Sequence, residues 1–243
     1  MFTSFEEIFE HLRSKSKKRL VAAWAVDDHT INAVRLAIEL GIVEGTLVGD
    51  ENMINAVCKE EGIDPSIFNI VHNESELKSI AQAVDIINAG EGDILMKGLC
   101  STDKYMRAIL KKEGGLLPPK AVLSHLSVLK NENYHKFIIL GDMAVIPAPD
   151  LKQKEAITNY LVKAAKALGI ETPKVAFIAA TEQMLPGMQA CVDAAILSKM
   201  ADRGQIKGCV ADGPLALDVA ISQEAVAIKK LKSPVAGDAD CLV

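Results

Sequence analysis

Residues 93–110 read DILMKGLCSTDKYMRAIL, and the change of period inside that stretch decides the class of fold. Asp93-Ile94-Leu95-Met96 forms a short, mostly apolar run that ends at Lys97-Gly98. From Ser101 the apolar positions fall at Met106, Ile109 and Leu110, the spacing of one helical face. The stretch is therefore a strand, a small turn and a helix start. Ser101 or Thr102 would cap the helix, leaving unpaired N–H groups and the positive end of the dipole at the tip of the strand. Such a corner suits an anion. Lys97 and Arg107 could add two cations, and an arginine can grip a phosphate through two parallel hydrogen bonds. By local pattern alone the simpler reading is a capped helix with two solvated cations, because this is not the glycine-rich GxxxxGK[ST] loop.

Outward from that stretch the same unit repeats. After a first amphipathic helix, RLVAAWAV (19–26) is a nearly continuous apolar run, followed by the polar turn DDHT (27–30) and a helical pattern closing at Gly41. GTLVG leads into a helix through Glu60, and FNIVH into a long helix from Glu74 to Ala89. Uniformly apolar strands alternating with helices predict parallel sheets covered on both faces. Near Pro118-Pro119 the rhythm changes: AVLSHLSVL and KFIILGDMAVIP follow each other with no helix between, and could pair antiparallel or cross between two domains. A helix from Asp150 to Leu168, the strand KVAFIAAT, a helix ending near Arg203 and the strand GQIKGCVADG restore the alternation. The expected division is a first α/β domain over 1–145 and a second over 146–243. GDADCLV (237–243) reads as a buried strand with no covering helix after it, so the chain is expected to lack a C-terminal part that would complete the first domain.

Bulk properties exclude several classes of function. The 243 residues are 49% hydrophobic and 24% charged, with a net charge of -5, which gives no general attraction to nucleic acid or to an anionic membrane. Any anion has to be held locally. The five cysteines, at 58, 100, 191, 209 and 241, are odd in number and never form a CxxC pair, so neither a disulfide framework nor a zinc site is indicated and a reducing cytoplasm fits best. The first twenty residues carry no apolar signal core, and no apolar run is long enough to span a bilayer. Cys100 lacks a paired histidine in sequence reach and reads as a small buried residue, and His125 as a packed strand residue.

Two further constellations carry chemistry. Asp212-Gly213-Pro214 ends an apolar strand just before the helical pattern of PLALDVAIS, a plausible ligand site of low specificity. Asp238 and Asp240, at a strand start, could bind a metal or merely solvate an edge, and by spacing alone solvation is favoured.

Taken together, MKGLCSTDKYMRAIL, GDMAVIPAPD, DAAILSKMADRGQIKGCVADGPLALDVAIS and SPVAGDADCLV resemble the phosphate acetyltransferase and phosphate butyryltransferase family, closer to its butyryl branch. The resemblance implies two α/β/α domains with mostly parallel sheets and a cleft between them, an architecture like that of isocitrate and isopropylmalate dehydrogenases. It implies reversible transfer of a short-chain acyl group between coenzyme A and inorganic phosphate, with no metal or other cofactor, small-molecule substrates only, and a cytoplasmic homodimer. By matching positions, Ser101, Thr102 and Arg107 fall in the family's serine-threonine and arginine motif, with Lys97 beside it, and the anion corner becomes the preferred reading. Asp142, Asp212, Gly213 and Pro214 match other substrate-facing segments. The family's serine-arginine pair and nearby aspartate, proposed to act in the chemistry, are expected beyond Val243, so no catalytic residue is assigned within the chain and little activity is expected of it alone. Two other readings are carried: a metal- and NAD-dependent dehydrogenase of the same architecture, for which Asp212, Asp218, Asp238 and Asp240 are the candidate metal cage, and a non-catalytic acyl-CoA or phosphate-binding protein.

Overall fold

Four apolar segments of the first half become parallel strands: β1 (Lys18–Ala23), β2 (Val43–Gly49), β3 (Asn69–His72) and β4 (Ile94–Lys97), in the order β3-β2-β1-β4. The structure, a computed structural model, describes all residues from Met1 to Val243. Side chains on β1 alternate between two cores. Leu20 and Ala22 pack with Ile31 and Val34 of α2 (Asp28–Glu39) and with Ile54 and Cys58 of α3 (Glu51–Glu61). Val21 and Ala23 pack on the other face with Ile80 and Ala83 of α4 (Glu76–Asn88) and with Tyr105 and Ala108 of α5 (Thr102–Leu110). A strand buried on both faces has to be apolar throughout, which is why RLVAAWAV shows no alternation. Each fully buried aliphatic side chain contributes about 1.5–3 kcal/mol.

The second sheet has the order β5-β6-β9-β7-β8, from β5 (Leu126–Leu129), β6 (Ile138–Gly141), β9 (Cys241–Leu242), β7 (Lys174–Ile178) and β8 (Val210–Leu215). Only β5 runs antiparallel, pairing with β6. One face is covered by α6 (Leu151–Ala167) and α7 (Gln189–Asp202), with Ile157, Leu161, Ala194 and Leu197 in its core. The other is covered by α8 (Leu217–Ile221), α9 (Gln223–Lys229) and the segment around Val235 and Ala239. The first helix, α1 (Phe5–Arg13), sets the Phe5 ring 5.1 Å from that of Phe137.

The chain divides into two compact units, Ile8–Ala121 and Met1–Glu7 with Val122–Val243. The boundary thus lies at Ala121/Val122 rather than at 145/146. The two strands that follow Pro118-Pro119 belong to the second sheet: β5 and β6 form an antiparallel pair, and Ile139 and Leu140 of β6 pair with Cys241 and Leu242. Of the segment 237–243, expected to be a buried strand throughout, only Cys241–Leu242 is strand; this β9 is buried and lies inside the sheet, bonded on one side to β6 and on the other to β7.

Candidate substrate site

In the sheet β3-β2-β1-β4 the chain winds outward from β1 through β2 to β3 and then returns to the far side of β1 as β4. That reversal is where open parallel sheets bind ligands, at the carboxyl ends of the two diverging strands. Here the carboxyl end of β4 is stitched to that of β1 by Gly98 N–H donating to the Ala23 carbonyl at 2.9 Å and Leu99 N–H to the Trp24 carbonyl at 3.0 Å. A Cβ on Gly98 would run into both carbonyls, so this close approach requires glycine. Ser101 is the N-cap of α5, its Oγ accepting from the Lys104 N–H at 3.2 Å, and Thr102 is the first helical residue. Thr102 and Asp103 carry the N–H groups that a helix start leaves without an intrahelical acceptor. The corner read from the sequence is therefore built, and its cap is Ser101.

Its cations are arranged differently from the expectation. Arg107 lies on the outer face of α5 with its side chain 80% exposed and its Nε 3.1 Å from the Asp103 carboxylate, an i,i+4 pair on its own helix. Lys97 is exposed at the strand end, its ammonium 3.4 Å from the Gly98 carbonyl. The charges that touch the tip belong to two residues the sequence reading passed over, Glu76 and Lys104. Glu76, the first residue of α4, accepts the Ser101 N–H at 3.2 Å through Oε1, and its Oε2 pairs with the Lys104 ammonium. The Lys104 ammonium and the Ser101 N–H together hold the Glu76 carboxyl below its usual range. A sequence signal existed: a Ser-x-x-Glu capping box would put a carboxylate at position 104, and finding Lys there leaves the Ser101 N–H to be met from elsewhere.

The unit containing residues 122–243 holds the other candidates, and they do structural work. The Asp142 carboxylate accepts four hydrogen bonds: from the N–H groups of Ala144 and Val145 at 2.7 Å each through Oδ1, and from the Ser124 hydroxyl and the His125 N–H at 2.9 Å each through Oδ2. Burial, the largest single influence, disfavours its ionised form, yet the donors from Val145, His125, Ala144 and Ser124 outweigh it and hold the carboxyl well below the usual range. No oxygen of Asp142 is left bare for a substrate. Gly213 and Pro214 are buried within β8, where the register with β7 slips by one residue, and only Asp212 is partly accessible, its Oδ1 taken by the Gly213 N–H at 2.9 Å. A Cβ on Gly213 would lie 2.7 Å from that of Phe177 on β7, so glycine here serves close strand packing.

The four aspartates proposed as a metal cage are not gathered around one point. Asp218 pairs with Lys229 at 3.1 Å, while Asp238 and Asp240 belong to a network at the amino-terminal ends of β6, β9 and β7. There the Lys136 ammonium lies 2.7 Å from Asp240 and 2.9 Å from Asp238, and Asp238 also meets Lys174 at 2.7 Å and His135 at 2.9 Å. Asp240 additionally accepts the Lys174 N–H at 2.7 Å. These acids neither solvate an edge nor await a cation. They neutralise two lysines, one of them buried, on the opposite rim of the sheet from the carboxyl ends.

The family model described as phosphate acetyl/butaryl transferase matches residues 76–243. The phosphate butyryltransferase of Clostridium acetobutylicum is 44% identical over 240 residues, covering 99% of this chain and 79% of that protein. The phosphate acetyltransferase of Thermotoga maritima is 39% identical over 241 residues, covering 98% of this chain and 80% of that one. Among solved structures, a branched-chain phosphotransacylase from Enterococcus faecalis V583 superposes with a TM-score of 0.80 at 28% identity, over 93% of this chain and 78% of that one. The matched segment includes the Glu76-to-Arg107 corner with β4 and the whole of the second sheet, and on these grounds the chain belongs to the phosphate acetyltransferase and phosphate butyryltransferase family.

Proposed function

We propose that this protein transfers a short-chain acyl group between coenzyme A and inorganic phosphate: acyl-CoA + phosphate = acyl phosphate + CoA. The observation that carries the reading is the 44% identity to a phosphate butyryltransferase across 99% of the chain. In the forward direction a phosphate oxygen attacks the thioester carbonyl, the C–S bond breaks, and the sulfur leaves as thiolate to be protonated. No electrons are exchanged with a cofactor. The obstacle is to bring a dianion next to an acyl donor that is itself anionic, which fixed cations and helix N-termini do by positioning the nucleophile and offsetting charge on the carbonyl oxygen.

The tip of α5 is suited to that role. Ser101 fixes the helix start, Thr102 supplies an N–H, and Lys97 stands at the adjacent strand end. Arg107 reaches the anion by giving up its pair with Asp103, an exposed i,i+4 contact that stabilises by only about 0.3–0.5 kcal/mol. Asp142 and Gly213-Pro214 shape the loops and strand in which they sit rather than touching substrate. Asp212 keeps a partly exposed side chain on its own unit. The acyl group is butyryl or of similar length, in keeping with the higher identity to the butyryltransferase than to the acetyltransferase.

The active form is a homodimer in the cytoplasm. All five cysteines are free. The outer side of α7 supports dimerisation: Val192, Ala195 and Ile196, with Met184 and Leu185 of the preceding loop, border an almost wholly apolar pocket of about 230 Å³. The test is thiol release from butyryl-CoA and acetyl-CoA with and without inorganic phosphate. In a chain that carries the residues expected beyond Val243, phosphate-dependent release, faster with butyryl-CoA, is expected; absence of phosphate-dependent release from both thioesters in that form refutes the reading.

A further inference from the structure

In the second sheet β7 and β8 lie side by side and parallel, and the connections that leave their carboxyl ends go to opposite faces: α7 covers one face, α8 and α9 the other. Diverging connections open a crevice at the strand ends, the place where sheets of this kind take ligands. The segment between β7 and α7, AATEQMLPGM (179–188), crosses that opening. Near its start the Glu182 carboxylate lies 2.9 Å from the Lys229 ammonium at the end of α9, and Lys229 also meets Asp218, in the first turn of α8, at 3.1 Å. Further on, Met184, Leu185 and Pro186 form one wall of the apolar pocket whose other wall is Cys191, Val192, Ala195 and Ile196 of α7. The segment is thus tied at Glu182 to the helices of one face and rests from Met184 onward against the helix of the other.

Little else holds it. Residues 183–187 are all exposed. The N–H groups of Gln183, Leu185 and Met188 donate to the Thr181 hydroxyl and to the Gln183 and Leu185 carbonyls, bonds that stay within the segment. The ion pair itself is partly open to water, with Glu182 20% and Lys229 38% exposed. When Glu182 leaves, Asp218 keeps the ammonium, so parting strands no charge. At neutral pH both partners are charged: Lys229 is the largest influence holding the Glu182 carboxyl below its usual range, and Glu182, followed by Asp218, raises Lys229.

We infer that Glu182 and Lys229 form a latch that keeps 179–188 closed as a strap over the carboxyl ends of β7 and β8, and that access beneath the strap requires the pair to part. A pair of this exposure shifts an equilibrium only about two- to fivefold, so the latch biases the strap toward closure and leaves it poised to lift. Cys191 is a built-in reporter of that motion. It is 1% exposed, lies in the first turn of α7 and borders the pocket walled by Met184, Leu185 and Pro186, so lifting the strap uncovers its thiol. The latch lies wholly within this unit and stands whether or not an acyl-CoA is the ligand.

The experiment follows labelling of Cys191 by N-ethylmaleimide, a neutral thiol reagent, by peptide mass spectrometry, at a protein concentration low enough that the rate no longer depends on it. Cys58, Cys100 and Cys241 are free, buried away from the strap and serve as internal references. Lys229→Met and Glu182→Gln should each speed Cys191 labelling about two- to fivefold relative to the reference thiols, and the double variant no more than either alone. Potassium chloride at about 1 M should speed labelling of the parent by screening the pair and leave Lys229→Met unchanged. Asp218→Asn, which keeps the Glu182 contact, should not speed it. A Lys229→Met protein whose Cys191 labels at the parental rate overturns the inference, because the strap then stays closed without the pair. Acceleration of Cys241 to the same degree as Cys191 overturns it too, since the whole unit has then loosened, and so does equal acceleration by Asp218→Asn.

Discussion

Replacing Lys136 by Met separates the contribution of a buried charge from that of its volume. The Lys136 side chain is 7% exposed, and the carboxylate of Asp240 beside it is 4% exposed. Met fills similar space and removes only the ammonium. Asp240 then keeps the Lys174 N–H at 2.7 Å on one oxygen and loses its 2.7 Å partner on the other, while Asp238 still has Lys174 at 2.7 Å and His135 at 2.9 Å. Leaving one member of a buried pair uncompensated costs about 3–5 kcal/mol. At roughly 2–4 °C per kcal/mol for a chain of this size, the melting temperature should fall by about 6–20 °C. Urea unfolding at pH 7, followed by far-UV circular dichroism, reads the free energy directly, and Lys136→Met/Asp240→Asn should recover a good part of the loss by removing the stranded charge.

Acidification gives an independent check. Burial raises the Asp238 carboxyl, but Lys174, Lys136 and His135 together pull it below its ordinary value. A carboxyl depressed on folding contributes stability that is present above the unfolded value, near ~3.9, and lost as pH falls through the folded one. Taking away Lys136 weakens that depression, so the parent should lose more stability than Lys136→Met on going below about pH 4. A Lys136→Met protein within about 1 kcal/mol of the parent at pH 7, or a gap between them that widens in acid, would refute the account of this network.

Three further outcomes are expected. Asp142→Asn should destabilise the protein by about 2 kcal/mol, since two of the four donors then face an uncharged oxygen and the other two an amide NH2 that cannot accept, and the difference should shrink as acid protonates the carboxyl of the unfolded parent; urea titrations at pH 7 and pH 3 measure it. Gly98→Ala should reduce transferase activity at least as severely as it lowers the melting temperature, because its Cβ displaces the Ala23 and Trp24 carbonyls that position the start of α5; phosphate-dependent thiol release and a thermal scan report both. Cys100→Ser should retain transferase activity and Cys100 should react slowly with a thiol reagent, as burial pushes its thiol above the ordinary range; loss of turnover in a folded Cys100→Ser protein would reinstate it as a reacting group.

The strands and most helices were legible because their cause is local: β1 is apolar on both faces and α5 is apolar on one, and period alone distinguishes them. The helix α9 was missed, being a seven-residue segment after a short break, too brief for a period to show. Partnership between distant strands has no local signature, which is why 122–145 was assigned to the wrong half and the two neighbours of β9 could not be named. In the site, the cap Ser101 was readable from residue type and position, whereas Glu76 lies twenty-five residues earlier and meets it only through the packing of α4 on α5. The direction of the Arg107 side chain was equally hidden, decided by an aspartate four places before it on the same helix. Asp142 was read as facing substrate, and the structure shows its oxygens bonded within its own unit: a carboxylate bound by its neighbouring segments and one waiting for a ligand look alike in sequence.

The shortest strand sits in the middle of the larger sheet. Without Cys241 and Leu242, the β5–β6 hairpin and the β7–β8 pair share no ladder, and each would remain a two-stranded ribbon of marginal standing. Joining them means that Ile139 waits for a residue about a hundred positions downstream, a closure whose entropy is met only once both ribbons and the intervening helices have taken shape. This half of the molecule therefore assembles by inserting a keystone rather than by adding strands in order, and during synthesis its two ribbons carry unfilled flanks until Cys241 and Leu242 emerge.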